Sequence, residues 1–307
     1  MTLIYIDPLF AEHATPRGHP ERAERHVAVL AALDGDGTAA IPRRTAAAAS
    51  YAAITAVHPS SHVDKLLAAV PSSGHIAIDA DTTMAPRTMD AALLASGSAI
   101  AAVDAVLSGA AANAFVAARP PGHHAERSRA MGFCFINHVA IAARHAQRAH
   151  GVGRVAIVDF DVHHGNGTQD AFWDDPSVLY VSTHQSPLYP GTGEASERGA
   201  GNILNVPLAP GTSGPAYRSA FDGTVMPALT EFAPELLILS AGFDAHAHDP
   251  LGGLLLTDED FVWITERMMD LATTSCEGRM VSCLEGGYDL SALGRCVAAH
   301  VATLATH

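Results

Sequence analysis

Residues Arg119–Ala125 read RPPGHHA, and two histidines side by side can act together only in an irregular loop. On a helix or a strand, adjacent side chains point apart. Imidazole titrates near neutral pH, so a pair aimed at one point is suited to moving protons. The ordinary alternative is a histidine-rich surface loop in a chain that has 18 histidines. Further along, VDFDVHHGNG sets Asp159, Asp161 and His163 at alternating positions, which share one side if a strand continues through them. With Asp244 of SAGFDAHAHDPLGG, Asp161 and His163 make three protein ligands of oxygen and nitrogen type. Catalytic zinc keeps three such ligands and leaves a position open for water and substrate.

These residues need a scaffold that gathers them. The apolar runs Leu3–Ile6, Ala114–Ala118, Val155–Phe160, Val178–Ser182, Glu235–Gly242 and Met280–Gly287 read as strands. Helical patterns fall at Glu21–Leu33, Thr88–Leu107, His138–His150, Pro215–Phe232, Asp258–Ser275 and Leu290–Leu304. In the second helix, Leu93, Ile100, Val103 and Leu107 share one face at helical spacing. Continuous apolar strands separated by helices predict an α/β fold: a single open, mostly parallel sheet with helices on both faces. Ligands bind such sheets beyond the carboxyl ends of the strands. Four strands end in RPPGHH, DVHHGNGTQD, FDAHAHDPLGG and EGGYD, so one sheet edge collects all the candidate chemistry. A chance surface loop does not predict that.

Composition bounds the rest. Of 307 residues, 48% are hydrophobic and 16% charged, which suits a folded enzyme with a sizeable core. A formal net charge of -14 argues against a nucleic-acid binder, which needs a basic face. Four cysteines without a CxxC pair read as reduced thiols of a cytoplasmic protein, and the start MTLIYIDPLFAEH lacks the pattern of a signal peptide. Leu93–Ala118 carries one charge, Asp104, but its glycine and serine interruptions suit a buried helix and strand better than a membrane span. The oligomeric state is left open, a homo-oligomer included.

The motifs RPPGHHA, GFCFINHVAIAA, DFDVHHGNGTQ, YPGTG, SAGFDAHAHDPLGG and EGGYD resemble those of the zinc-dependent histone deacetylase and acetylpolyamine amidohydrolase superfamily, in its class II-like branch. The resemblance runs from HATPRGHPERAER near the start to LEGGYDLSALGRCVAAHV near the end. It implies one arginase-like catalytic domain over residues 1–307 and one zinc ion on Asp161, His163 and Asp244. It further implies that His124 is the general base that activates water and later protonates the leaving amine. His123 would stabilise charge, with Asp159 orienting His123 and Asn166 orienting His124. Class I members carry Asp at the Asn166 position; an amide adds no full charge there, which favours a neutral His124 at pH 7. Tyr288 would donate to the oxyanion.

The same resemblance implies a substrate channel. The Gly132 carbonyl would receive the substrate amide N–H, Phe133 and Tyr189 would wall a narrow tunnel, and Asp81 at the rim would accept peptide N–H groups. Cys134 would pack beneath the site. Leu251, in HDPLGG, stands where polyamine-selective relatives carry Glu, and no insertion lies between His75 and Arg87. An acyl-lysine or similar linear amide is therefore expected over an acetylpolyamine. Potassium is implied beside the zinc, on backbone carbonyls of Asp161, His163 and Thr183 with side-chain oxygens of Asp159 and Ser182. A second cation is implied near Phe172, Asp175 and Val178. The rivals are a two-manganese ureohydrolase and a non-catalytic acyl-lysine-binding or corepressor module.

Overall fold

Strands such as Val155–Asp159 and Leu236–Ala241 are buried at every position, because both faces of the sheet are covered. The computed structural model describes residues 1–306. In chain order the first elements are β1 (Thr2–Tyr5), α1 (Ala23–Leu33), β2 (Arg43–Arg44), α2 (Tyr51–Ile54) and α3 (Ser60–Ala68). The hairpin β3 (Ile76–Ala77) and β4 (Thr83–Met84) leads into α4 (Thr88–Leu107), β5 (Asn113–Val116) and α5 (His138–His150). Next come β6 (Val155–Asp159), α6 (Asn166–Phe172), β7 (Val178–Gln185), β8 (Ile203–Leu208), α7 (Gly214–Ala220) and α8 (Met226–Phe232). The chain closes with β9 (Leu236–Ala241), α9 (Asp258–Ser275), β10 (Met280–Leu284) and α10 (Leu290–Thr306).

Eight strands form one sheet in the order β2-β1-β5-β10-β9-β6-β7-β8, and every pairing in it is parallel. Successive residues send their side chains to opposite faces. Val155 and Ile157 join the core shared with α3, α4 and α5, whereas Ala156 and Val158 join the core shared with α1, α9 and α10. The four strands that end in candidate chemistry, β5, β10, β9 and β6, are consecutive in the sheet. That adjacency brings residues from positions 123, 161, 244 and 288 to one edge.

Several expectations are corrected in detail. Strand β6 stops at Asp159, so Asp161 and His163 converge through the turn after it and not by strand alternation. In α4 the fully buried positions are Ala91, Ala92, Ala95, Ala99, Ala102 and Val103, while Leu93, Ile100 and Leu107 are only half-buried. Small side chains let that helix lie close to its neighbours. By length and composition α4 is also apolar enough to cross a membrane, and 67% of its apolar window is buried within the fold. The expected helix Pro215–Phe232 is α7 and α8 joined by a π-helical turn at Phe221–Val225.

Candidate active site

The Asp161 and Asp244 carboxylates and the His163 ring meet at the sheet edge, with one ligand atom from each lying within 4.8 Å of the others. His163 Nδ1 is 3.1 Å from Asp161 Oδ1 and 3.2 Å from Asp244 Oδ2. Backbone N–H groups fix both carboxylates: Gly286 donates to Asp161 Oδ2 at 2.9 Å and Val162 to Asp244 Oδ1 at 2.8 Å. A Cβ on Gly286 would lie 2.0 Å from Asp244 Oδ2, so only glycine lets this backbone approach. Burial opposes a charge on His163, yet hydrogen bonds to Asp161 and Asp244 raise its pKa to about 10. Burial and the Asp161 carboxylate push Asp244 up to about 7. Two buried carboxylates and an imidazole thus make a site that favours positive charge, and this donor set suits a zinc ion.

The tandem histidines lie beside it, with ring centroids 4.0 Å apart. His123 Nδ1 pairs with Asp159 Oδ2 at 3.0 Å, and the same oxygen accepts the Tyr180 hydroxyl. Burial works against charge on His123, but the Asp161 and Asp159 carboxylates raise its pKa well above the usual range. His124 Nδ1 lies 2.8 Å from Asn166 Oδ1. Asn166 Nδ2 donates to Glu126 Oε1 at 2.7 Å, which fixes the amide with its oxygen towards His124. His124 therefore carries its proton on Nδ1 and leaves Nε2 free to accept one. Burial, followed by His123 and His163, holds its pKa well below the usual value.

A cavity of about 220 Å³ opens onto this group, lined by Asp81, Gly132, Phe133, Leu188, Tyr189 and Leu251 together with His124, His163 and Tyr288. Every residue expected along the tunnel is there; Leu188 is an addition. Phe133 and Tyr288 meet edge to face, with ring centroids 5.9 Å apart. Gly132 and Phe133 both have positive φ, 56° and 67°, and a Cβ on Gly132 would lie 2.4 Å from the His124 ring. A left-handed backbone costs Phe133 about 1–3 kcal/mol. Two bonds hold it there: Gly132 N donates to Asp81 Oδ1 at 3.1 Å, and Phe133 N to Thr82 Oγ1 at 3.0 Å. The Gly132 carbonyl accepts the buried Cys134 thiol at 3.2 Å and keeps a second lone pair.

Four residues from Glu285 to Tyr288 tie the parts together. Glu285 Oε2 accepts the N–H groups of Gly122 and His123, at 2.6 and 3.2 Å, and burial pushes this carboxyl up to about 7. Arg25 donates to the carbonyls of Glu285 and Gly287 at 2.5 and 2.7 Å, and its guanidinium lies 5.0 Å from the Tyr288 ring centroid. Asp249 Oδ2 receives the Tyr288 N–H at 2.6 Å. Glu21, wholly buried, pairs with Arg25 and Arg119. Sequence reasoning did not find Arg25, Glu285, Asp249 or Glu21. Their partners lie far away in the chain, and a charged residue in isolation reads as surface.

For the expected potassium beside the zinc ligands, no hydrogen bond reaches the carbonyl oxygens of Asp161 and His163 among the described residues. Ser182 Oγ lies 2.9 Å from His184 Nδ1, and Asp159 Oδ1 accepts Asp161 N–H. The second cation position, near Phe172, Asp175 and Val178, is not available: the Asn202 side-chain amide fills it.

The sequence comparisons agree with this geometry. A family model described as the histone deacetylase domain matches residues 19–304. The chain is 40% identical over 301 residues to "Histone deacetylase 10, chloroplastic" of Oryza sativa subsp. japonica, covering 91% of this chain and 68% of that one. It is 42% identical over 277 residues to "Histone deacetylase-like amidohydrolase" of Pseudomonas aeruginosa, covering 88% and 73%. Among solved structures, the HD domain of HDA15 superimposes with a TM-score of 0.94 at 36% identity, covering 99% of this chain and 89% of that one.

Proposed function

The chain belongs to the histone deacetylase family, and from that membership we propose a zinc-dependent amidohydrolase that removes an acetyl group from a linear amine, with Nε-acetyl-lysine or a similar amide as substrate. The observation that carries the reading is the meeting of Asp161, His163 and Asp244 with the free Nε2 of His124 and with Tyr288 around one cavity. Zinc, when bound, would polarise the acyl carbonyl and make water acidic enough to lose a proton near neutral pH. His124 takes that proton at Nε2 and returns it to the leaving amine nitrogen, its Nδ1–H held by Asn166. His123, kept protonated by Asp159, stabilises negative charge as water adds. The Tyr288 hydroxyl donates to the carbonyl oxygen as that oxygen gains charge. Gly132 takes the substrate amide N–H, and Phe133 and Tyr189 hold the methylene chain. Water's oxygen ends in the acid product and its protons on the free amine.

One metal serves this scheme. Both oxygens of Asp249 are engaged by backbone N–H groups of Leu251, Tyr288 and Asp289, and Asn166 is neutral. The two-manganese alternative therefore lacks its second set of ligands. Retention of a complete proton-transfer set argues against a purely binding or corepressor role. We place potassium on Asp159, Asp161, His163, Ser182 and Thr183, supported by the two carbonyls that no hydrogen bond reaches. The four cysteines are free and buried, in keeping with a cytoplasmic enzyme.

Substrate choice is tested by comparing acetyl-lysine peptides with acetylspermidine, with and without chelator. Leu251 lines the cavity and offers no partner for a distant ammonium. Acetyl-lysine should therefore give the higher kcat/KM, and Leu251→Glu should move the ratio about tenfold or more towards the polyamine. A wild-type kcat/KM tenfold higher for acetylspermidine overturns the assignment; hydrolysis of neither substrate by the zinc-loaded protein overturns the function.

Asn166→Asp probes the base. A carboxylate beside the protonated ring stabilises it, so the pKa of His124 rises and the acidic limb of the pH–rate profile moves to higher pH. The nearby Glu126 carboxylate, which now accepts from the Asn166 amide, adds to the negative field. A limb that stays in place or moves down separates Asn166 from the base.

A further inference from the structure

The turn between α6 and β7 contains the carbonyls of Phe172, Asp175 and Val178, where resemblance to the family implied a second monovalent cation. Three carbonyl oxygens pointing at one spot need a positive partner, and here a side chain from another strand supplies it. Asn202 Nδ2 lies 2.8 Å from Phe172 O, 2.9 Å from Asp175 O and 2.8 Å from Val178 O. The residue is 3% exposed, so these contacts are sealed from water. The amide orientation is decided by its other end, since Asn202 Oδ1 accepts the Ala200 N–H at 3.0 Å. A flipped amide would set its oxygen against three carbonyls and its NH₂ against a donor. The Asn202 carbonyl also accepts Tyr180 N–H at 2.9 Å, which anchors the residue to β7 beside the turn it closes.

We propose that the Asn202 side chain is a built-in replacement for a monovalent cation, and that this chain binds no ion among the carbonyls of Phe172, Asp175 and Val178. Two N–H hydrogens shared over three acceptors do what a large, weakly hydrated cation does at such a ring: they neutralise converging carbonyl dipoles at a distance near 2.8 Å. The surroundings leave little need for a further charge. Arg144 already pairs with the Asp175 carboxylate, and its guanidinium lies 4.6 Å from the Phe172 ring centroid. The turn is therefore held by covalent chain alone, and dependence on potassium, if the chain has any, comes from the site beside Asp159. The inference is independent of the hydrolase reading, since it concerns ion occupancy and not turnover.

Crystals of the wild-type protein and of Asn202→Ala, each equilibrated with thallium(I) or rubidium, test it by anomalous scattering. The expected result is no anomalous peak between the three carbonyls in the wild type and a peak there in Asn202→Ala. A wild-type peak overturns the proposal, and so does the absence of a peak in both, because the ring is then no cation site to be replaced. Solution melting gives a second reading. In choline chloride Asn202→Ala should melt roughly 5 °C below wild type, with two or more carbonyls left unpaired, and potassium should recover most of that loss. The wild type should gain much less from the same salt, and an equal gain in both overturns the proposal. Should Asn202→Ala fail to fold, the isosteric Asn202→Asp sets a carboxylate against three carbonyls. That variant should acquire the anomalous peak, and its absence counts against the proposal in the same way.

Discussion

Asp244→Ala is expected to fold, to lose its metal and to lose turnover together. The substitution removes one of three ligands and a carboxylate that burial and Asp161 already make uncomfortable, so the fold loses little. What it leaves behind is the Val162 N–H without its acceptor, a penalty of about 1–3 kcal/mol. Metal affinity suffers far more. Outer partners of metal ligands are typically worth 10- to 100-fold in affinity, and a direct ligand should exceed that. Turnover should fall by on the order of a thousandfold or more, because carbonyl polarisation and water activation disappear at once. Asp161→Ala and His163→Ala should behave alike, and chelation of the wild type should reproduce the loss until zinc is restored. Metal analysis of the purified variants decides the matter: stoichiometric zinc in Asp244→Ala, bound as tightly as in wild type, removes Asp244 from the ligand set.

Tyr288→Phe should give the second largest effect and a different signature. Its backbone is held by Asp249 and its ring lies under the Arg25 guanidinium, and neither contact uses the hydroxyl. The variant should therefore keep its fold, its zinc and nearly its KM. The missing donor costs roughly 3 kcal/mol in the transition state, which is a hundredfold or more in kcat. The contrast with Asp244→Ala is the informative part, since here catalysis falls while metal content stands. An unchanged kcat would place Tyr288 outside the reaction centre; a large rise in KM with kcat intact would make it a substrate-binding group only.

Much of the fold can be read in the sequence because β5, β6, β7, β9 and β10 are covered on both sides and appear as unbroken apolar runs. The helices Thr88–Leu107, His138–His150 and Asp258–Ser275 match their expected bounds. Strand β8 escaped because it lies at the sheet edge, buries only part of its length and contains Asn205 and Pro207. Helix α6 escaped because its first residue, Asn166, was read as part of a site loop. The candidate site divides along similar lines. Its metal-ligand set and tandem histidines were legible because they cluster at strand ends. Their geometry was not: Asp161 and His163 lie past the strand that was expected to align them. Nor were the anchors, because Arg25 reaches carbonyls 260 and 262 residues away.

The sheet order also dictates when this site can be completed during synthesis. Strand β10, residues Met280–Leu284, is the last strand made, yet it sits between β5 and β9 in the middle of the sheet. Until it emerges, the nascent chain can hold two separate half-sheets, β2-β1-β5 and β9-β6-β7-β8, each with an open inner edge. The second half-sheet carries Asp161, His163 and Asp244 on neighbouring strands, so the metal ligands can gather before the sheet closes. His123 and His124 ride on the other half, and Tyr288 follows β10 itself. Proton transfer and oxyanion stabilisation thus arrive together, at the step that joins the halves, and long-range parallel pairing of this kind is slow to form. A released, unfinished chain could hold metal ligands in place and still have no catalytic centre.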